Sequence, residues 1–351
     1  MFARLSEFVC ISTETSWAHA SLLDMEYRLI GTTGLLVSTL GLGTLTWGKD
    51  TSSEEAAALL RLHLENGGNL IDIPGDSLVG DGAGVLGSLL GSQVDRRDLI
   101  VCLRSGTTVG TNHLEAGPGR STLLDTLDEQ LQRLGSDHVD LWIVQGPKRG
   151  VDIEQVLSAL GVAYRSGRAR HVGLDGFSQW DTAYALGLTN RAAAGGAGGL
   201  RLDVLSAEFS LLRPEPGLSL LPHAQEHGLG FIGWAPLARG VLTGKYRATL
   251  PADSRGATRH LGDTVVPFLI DSLANVVDSA VEAAKGYNCP PALVALSWVL
   301  GVPGVCATVV GPRTSRQFEQ LLSSPPPELP RPLRKVLTEA AWQKASPTRK
   351  G

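Results

Sequence analysis

The sequence predicts a single (β/α)8 TIM barrel, preceded by a short hairpin and closed by a C-terminal helix. Three observations carry this. Eight short apolar runs alternate with segments of helical periodicity, which argues a parallel sheet. In a chain of 351 residues, units of this length suit one closed barrel with insertions. No GxGxxG follows the first strand, where the competing fold, an open doubly wound sheet, would want one.

The elements follow in order. From Tyr27 to Thr46 apolar residues alternate with Gly31, Gly34, Gly41 and Gly43, which predicts a small hairpin and then barrel strand one. Ser53 opens a helix through Leu59, Leu60, Leu62 and Leu64, stopped by Gly67 and Gly68. A short strand follows at 69–72. Further strands are expected at Leu99–Leu103, Val139–Val144, Ala169–Leu174, Leu202–Glu208, Phe231–Trp234 and Cys306–Val310. Helices are expected at Arg120–Leu134, Ile153–Tyr164, Gln179–Leu186 and Leu220–His227, and across Val265–Leu300. A last helix should run from Leu333 to about Lys344. Two low-complexity stretches, 190–199 and the proline-rich 323–332, read as a flexible connection and a tether. Nothing inside 25–351 suggests a domain boundary.

Composition narrows the function. An apolar fraction of 43% supplies a large core, and a net charge of −4 gives no reason to expect nucleic acid or an anionic membrane as partner. Cys10, Cys102, Cys289 and Cys306 lie far apart, with no metal-type or redox-type spacing. Reduced thiols in a cytoplasm are therefore the expectation. No run approaches the ~18 apolar residues of a membrane span. Residues 1–24 carry Glu7, Glu14 and Asp24 and lack a basic start, so they do not read as a signal peptide. His223-Ala224-Gln225-Glu226-His227 spells H-x-x-E-H, an inverted zinc-protease motif, but no third ligand is indicated and surface helix residues are the better reading. No metal is expected. His138 and His171 read as structural.

The stretch from Phe231 to Tyr246 carries the first functional signal. A short apolar strand ends at Trp234, and Pro236 prevents it from continuing as a central strand. Gly240 and Gly244 let backbone pass close to a ligand, and Lys245 adds a cation. An aromatic, a flexible loop and a positive charge suit a flat ring joined to phosphates; a buried Trp in an ordinary βα loop suits them equally.

The order Trp-x-Pro-Leu-x-x-Gly-x-Leu-Thr-Gly-Lys-Tyr resembles the seventh barrel loop of the aldo-keto reductase family, in the branch related to potassium-channel β subunits. The resemblance extends from Met25 to about Leu322. It implies that Trp234 stacks on nicotinamide and that Pro236, Leu237, Gly240 and Lys245 fold over the pyrophosphate. Gly41-Leu42-Gly43-Thr44 resembles the backbone approach to nicotinamide, with Thr44 as contact. Ser254-Arg255 resembles a pair near the adenosine phosphate, and Gly311, Arg313 and Gln317 resemble the site of the ribose 2′-phosphate and adenine. Lys245, Arg255 and Arg313 could together surround a 2′-phosphate, so NADP(H) is the expected cofactor. The family's usual opening resembles Met25-Glu26-Tyr27-Arg28, which leaves 1–24 as a disordered tail or an artefact of start-codon choice.

The catalytic positions depart from the family. There a tetrad of Asp, Tyr, Lys and His lies at the strand ends, with the Tyr as general acid and the Lys lowering its pKa. Here Asp72 keeps its place, but Ser77, Arg104 and Gln145 stand at the Tyr, Lys and His positions. A Ser hydroxyl is too short and too weakly acidic to replace a phenol. Arg104 can grip Asp72 in a two-pronged pair but has no phenol to tune. Losing the acid forfeits roughly 10²–10⁴ in rate. Asp76 and Asp175 are weighed as replacement acids against a plain reading as solvated loop carboxylates. Asp175 falls where the family has a Ser-Asn pair on the nicotinamide amide, and Ser206 where it has a Gln. Gln320 and Leu321 stand where Glu-Asn hold the adenine.

The expected function is an aldo-keto reductase-like, NADP(H)-binding oxidoreductase in which ordinary carbonyl reduction of a small compound is doubtful. Two alternatives stay open: a non-catalytic NADP(H)-binding sensor or partner subunit, and a cofactor-free scaffold barrel.

Overall fold

A computed structural model describes residues 25–75, 80–106, 119–146, 152–194 and 199–345. The segment 1–24, expected as a tail, lies outside these residues, as do Asp76 and Ser77. The chain opens with an antiparallel hairpin, β1 (Tyr27–Leu29) and β2 (Leu36–Ser38). Eight parallel strands then close on themselves in chain order. They are β3 (Leu40–Gly43), β4 (Leu70–Ile73), β5 (Ile100–Ser105), β6 (Val139–Gln145), β7 (Ala169–Asp175), β8 (Val204–Glu208), β9 (Gly230–Trp234) and β10 (Val305–Val310). Pairing of β10 with both β9 and β3 completes the barrel.

The hairpin plugs the barrel floor. Ile30 and Val37 are fully buried in one cluster with Leu70, Cys102, Leu141, Ile143, Val204 and Ile232 from the barrel interior. Apolar side chains fill that interior, as a barrel of eight strands requires, so ligands are confined to its open end. A second, larger cluster joins the strands' outer faces to the surrounding helices.

Those helices are α1 (Ser53–Glu65), α2 (Gly82–Leu89), α3 (Arg120–Leu134), α4 (Ile153–Arg165), α5 (Gln179–Ala194), α6 (Pro216–Ser219) and α7 (Leu221–Glu226). Four more follow as α8 (Gly262–Val265), α9 (Asp271–Tyr287), α10 (Pro291–Leu300) and α11 (Ser315–Leu321), before α12 (Arg331–Ala345). Asn288, in a left-handed conformation, caps α9, and the Pro290-Pro291 pair starts α10 afresh. That break divides the segment expected to be helical across Val265–Leu300. Helix α12 starts before Leu333 and packs its buried Leu337 and Ala341 against the barrel, with Thr338 accepting from Trp298 Nε1 at 3.0 Å.

Two expectations need correction. Helix α2 occupies a stretch where none was expected, because Gly82, Gly84 and Gly87 argue against helix by propensity. Packing overrides propensity here: a Cβ on Gly82 would lie 2.2 Å from Thr44 Oγ1, and one on Gly87 would lie 2.4 Å from the Arg133 carbonyl. Asp81 caps the helix, accepting from Gly84 N at 3.0 Å. The second correction concerns 190–199, read as a flexible connection. Its first residues continue α5 to Ala194, as a run of alanine favours.

Among the described residues, Cys102, Cys289 and Cys306 are free thiols. No single described helix is long and apolar enough to cross a membrane.

Candidate active site

The strand register assembles the mouth. Gln145 is the Cα partner of Asp175, Asp175 of Ser206, and Glu208 of Trp234. Asp72 and Arg104 come from β4 and β5, so six consecutive strands, β4 to β9, converge on one cluster.

At its centre lies a guanidinium between two carboxylates. Arg104 Nε donates to Asp72 Oδ1 at 2.7 Å, while Nη1 donates to Ser206 Oγ at 2.9 Å and lies 3.2 Å from Asp175 Oδ2. Exposure is 6% for Asp72, 3% for Arg104 and 2% for Asp175. Asp175 also accepts from Gln145 Nε2 at 3.0 Å and from Trp234 Nε1 at 2.9 Å. Ser206 Oγ donates to the Ile232 carbonyl at 2.8 Å, and Thr44 Oγ1 donates to the Asp72 carbonyl at 3.2 Å.

Charge in this cluster is unbalanced. Burial pushes the Asp72 carboxyl above the usual range; Arg104 opposes that push, and the negative charge of Asp175 adds to it. Burial works against the Arg104 charge, but Asp72 and Asp175 outweigh it and hold the guanidinium protonated. Cys102, hydrogen-bonded to Asp72, is pushed up by burial and by the same carboxylate.

Three sequence-predicted members, Asp72, Arg104 and Gln145, are thus brought to one place. Ser77 and Asp76 fall outside the described residues. Asp175 is no solvated loop carboxylate: it ends a buried strand, and its two oxygens are the hub of the cluster.

The cofactor-loop residues gather beside this hub. Pro236 is buried and Leu237 half-buried, and Ala235, Ala238 and Arg239 all take left-handed backbone, with φ of 51°, 45° and 57°. Such backbone in three non-glycine residues is held by its surroundings. Arg239 supplies the hold, pairing with Glu208 and stacking 5.1 Å from the centre of the Phe268 ring and 5.9 Å from that of Trp234. Gly240 leaves room for the Lys245 side chain, whose Nζ is exposed and 5.1 Å from the Tyr246 ring centre.

Further along the chain, Arg255 donates to the Gly311 carbonyl at 3.4 Å, and Arg313 donates to the Asp253 carbonyl. The Arg313 N–H is received by Gln317 Oε1 at 2.9 Å. Burial, together with the positive charges of Arg239 and Arg313, pushes the Arg255 pKa down to about 10. Ser254 Oγ beside it is buried and has no hydrogen-bond partner among the described residues. The start of α11 is already occupied, since Glu55 accepts from both the N–H and the hydroxyl of Ser315. An incoming phosphate would meet guanidinium groups here, with the helix end already taken.

Sequence reasoning missed Glu208 and Arg239 as site residues. The available signal was the alternation of β8, which puts Ser206 and Glu208 on one face. The H-x-x-E-H residues do come together, with their ligand atoms within 4.8 Å. They sit at the end of the short α7, where His223 Nε2 is bonded to Gln179 at 3.0 Å and Glu226 and His227 are exposed. His171 pairs with Asp203 at 3.2 Å and His138 with Asp137 at 2.6 Å, both away from the mouth.

The fold and the strand-end cluster define a (β/α)8 barrel with a polar site at the C-terminal mouth of its strands. The aldo/keto reductase family profile matches residues 39–329, and the chain belongs to that family. It is 29% identical over 310 residues to "Uncharacterized oxidoreductase YrpG" of Bacillus subtilis (strain 168), covering 86% of this chain and 91% of that protein. It is 27% identical over 299 residues to "Probable voltage-gated potassium channel subunit beta" of Arabidopsis thaliana, covering 84% and 90%. A protein of the same name from Oryza sativa subsp. japonica is 28% identical over 297 residues, covering 84% and 89%.

Proposed function

We propose that this barrel binds NADP(H), with the nicotinamide against Trp234 and the 2′-phosphate between Arg255 and Arg313, and that it does not carry out the family's ordinary carbonyl reduction. The observation that carries the cofactor reading is the placing of Arg255 with Arg239 and Arg313, whose positive charges add to burial in lowering its pKa to about 10. Like charges held together call for an anion, and Glu208 balances Arg239 alone. The orphaned hydroxyl of Ser254 fits the same phosphate end.

When bound, the cofactor would supply hydride. The chain's own residues would hold the ring and order the mouth: Trp234 is fixed by Asp175, and Arg104 is fixed by Asp72, Asp175 and Ser206. An arginine locked between two carboxylates has no proton to give at neutral pH. Gln145 cannot titrate.

A second reading, a non-catalytic NADP(H)-binding partner subunit, draws on this locked mouth and on the relatives named as potassium-channel β subunits. One experiment tests both parts. Titration with NADPH should quench tryptophan fluorescence. Assays with NADPH and a panel of aldehydes and quinones should show no turnover in the ordinary range of roughly 1–10³ s⁻¹. Absence of quenching removes the cofactor assignment, and robust turnover shows that another acid has replaced the tyrosine.

A further inference from the structure

The side-chain donors at the mouth all point inward. Arg104 Nε and Nη1 are engaged by Asp72, Ser206 and Asp175, and Nη2 is buried without a partner. Trp234 Nε1 and Gln145 Nε2 both donate to Asp175. The hydroxyls of Ser206 and Thr44 are bonded to the Ile232 and Asp72 carbonyls. Arg239 is turned to Glu208.

Asp175 causes most of this. A carboxylate accepts and cannot donate, so the Gln145 amide must present its nitrogen to Asp175 and turn its oxygen the other way. Gln145 is half-buried, and no described residue donates to that oxygen. The outward-facing polar atom at this strand end is therefore an acceptor.

We propose that Asp175 positions Gln145 so that its Oε1 selects a ligand bearing a hydroxyl donor, an alcohol in preference to the corresponding aldehyde or ketone. This rests on reading the barrel mouth as the substrate end of the cofactor site. A bare carbonyl is an acceptor only, and the unpaired donor of this cluster among the described residues, Arg104 Nη2, is buried. An alcohol satisfies Oε1 and loses nothing. Asp175 acts as a positioning residue, and Gln145 as the group that meets the ligand.

The test uses a matched pair, cyclohexanol and cyclohexanone, titrated calorimetrically into the full-length protein with and without NADPH. The alcohol should bind about tenfold more tightly, the value of one hydrogen bond made rather than missed. Gln145→Arg can donate to Asp175 and still turn an N–H towards the ligand, and should reverse the preference. Asp175→Asn frees the Gln145 amide to turn over and should bring the ratio close to one. Equal or ketone-favoured binding in the unmutated protein overturns the proposal, as does binding of neither compound at millimolar concentration. A ratio unchanged by both Gln145→Arg and Asp175→Asn overturns it too. An intact alcohol preference without tryptophan quenching by NADPH supports this assignment and removes only the cofactor.

Discussion

Arg104 Nε lies 2.7 Å from Asp72 Oδ1, and both groups are almost wholly withdrawn from water at the barrel mouth. The pair joins the ends of β4 and β5 and works as structure. Its energetics are set by the third member, Asp175, which gives the cluster two carboxylates for one cation.

Removing the cation should therefore be worse than removing one carboxylate. Arg104→Met leaves Asp72 and Asp175 buried without compensation, and the expected loss is about 3–5 kcal/mol. Asp72→Asn should cost clearly less, since Asp175 still balances Arg104 and the amide oxygen can accept from Nε. Urea denaturation of both variants at pH 7 checks the order. Equal losses would show that Arg104 is not the keystone of the cluster.

Asp72 also predicts a pH signature. Its folded pKa is raised, first by burial, so the folded state holds that proton more tightly than the unfolded chain does. The corresponding stability is complete below the ordinary aspartate value of 3.8 and is lost as pH rises through the raised folded value. Asp72→Asn removes this dependence. The gap in unfolding midpoint between wild type and variant should shift in the variant's favour as pH climbs from 4 towards 8.

His63 predicts the opposite trend. Its ring is fully buried against Phe318, with Nε2 3.2 Å from the Leu70 carbonyl, and burial pushes its pKa from 6.5 down to about 4. Stability is complete above pH 6.5 and is lost as pH falls towards 4, because the unfolded chain takes up the proton first. The loss should approach roughly 3 kcal/mol, from about 1.4 kcal/mol per pKa unit. Glutamine at this position cannot titrate, so His63→Gln should flatten the acid limb of a stability-against-pH profile. An unchanged limb would assign it to other groups.

For the proposed cofactor, Arg313→Ala should erase a preference for NADPH over NADH and leave NADH affinity little changed. Fluorescence titration with the two cofactors measures this. Equal affinity of the unmutated protein for both would remove the 2′-phosphate assignment.

Gly82→Ala tests the link between α2 and the site. The added Cβ would meet Thr44 Oγ1 at 2.2 Å, so the expected destabilisation is about 1–3 kcal/mol, typical of overpacking. Deleting that hydroxyl with Thr44→Ala should recover part of it, making the double variant more stable than the summed effects allow.

How much of this was legible depends on the range of the determining interaction. Strand ends were readable because apolar runs and turn residues are local, and in a closed barrel strand ends must converge. That placed Asp72, Arg104, Gln145 and Trp234 near one another before any coordinates. Helix α2 was not readable: its glycines argue against helix, and the contacts with Thr44 and Arg133 that demand them come from other parts of the chain. Nor did the alanines after Asn190 read as helix, because low complexity masked good helix formers.

The sequence by itself determined the barrel and the family, and it put an arginine and a glutamine, neither able to titrate near neutral pH, at the ends of β5 and β6. Only the tertiary structure decided what Asp175 does. As a residue it read like a loop carboxylate; as a strand end between Gln145 and Ser206 it collects Arg104, Gln145 and Trp234. The reason is register: which side chains face one another across parallel strands is settled by pairing at a distance, and the direction of each donor follows from where the acceptor is buried.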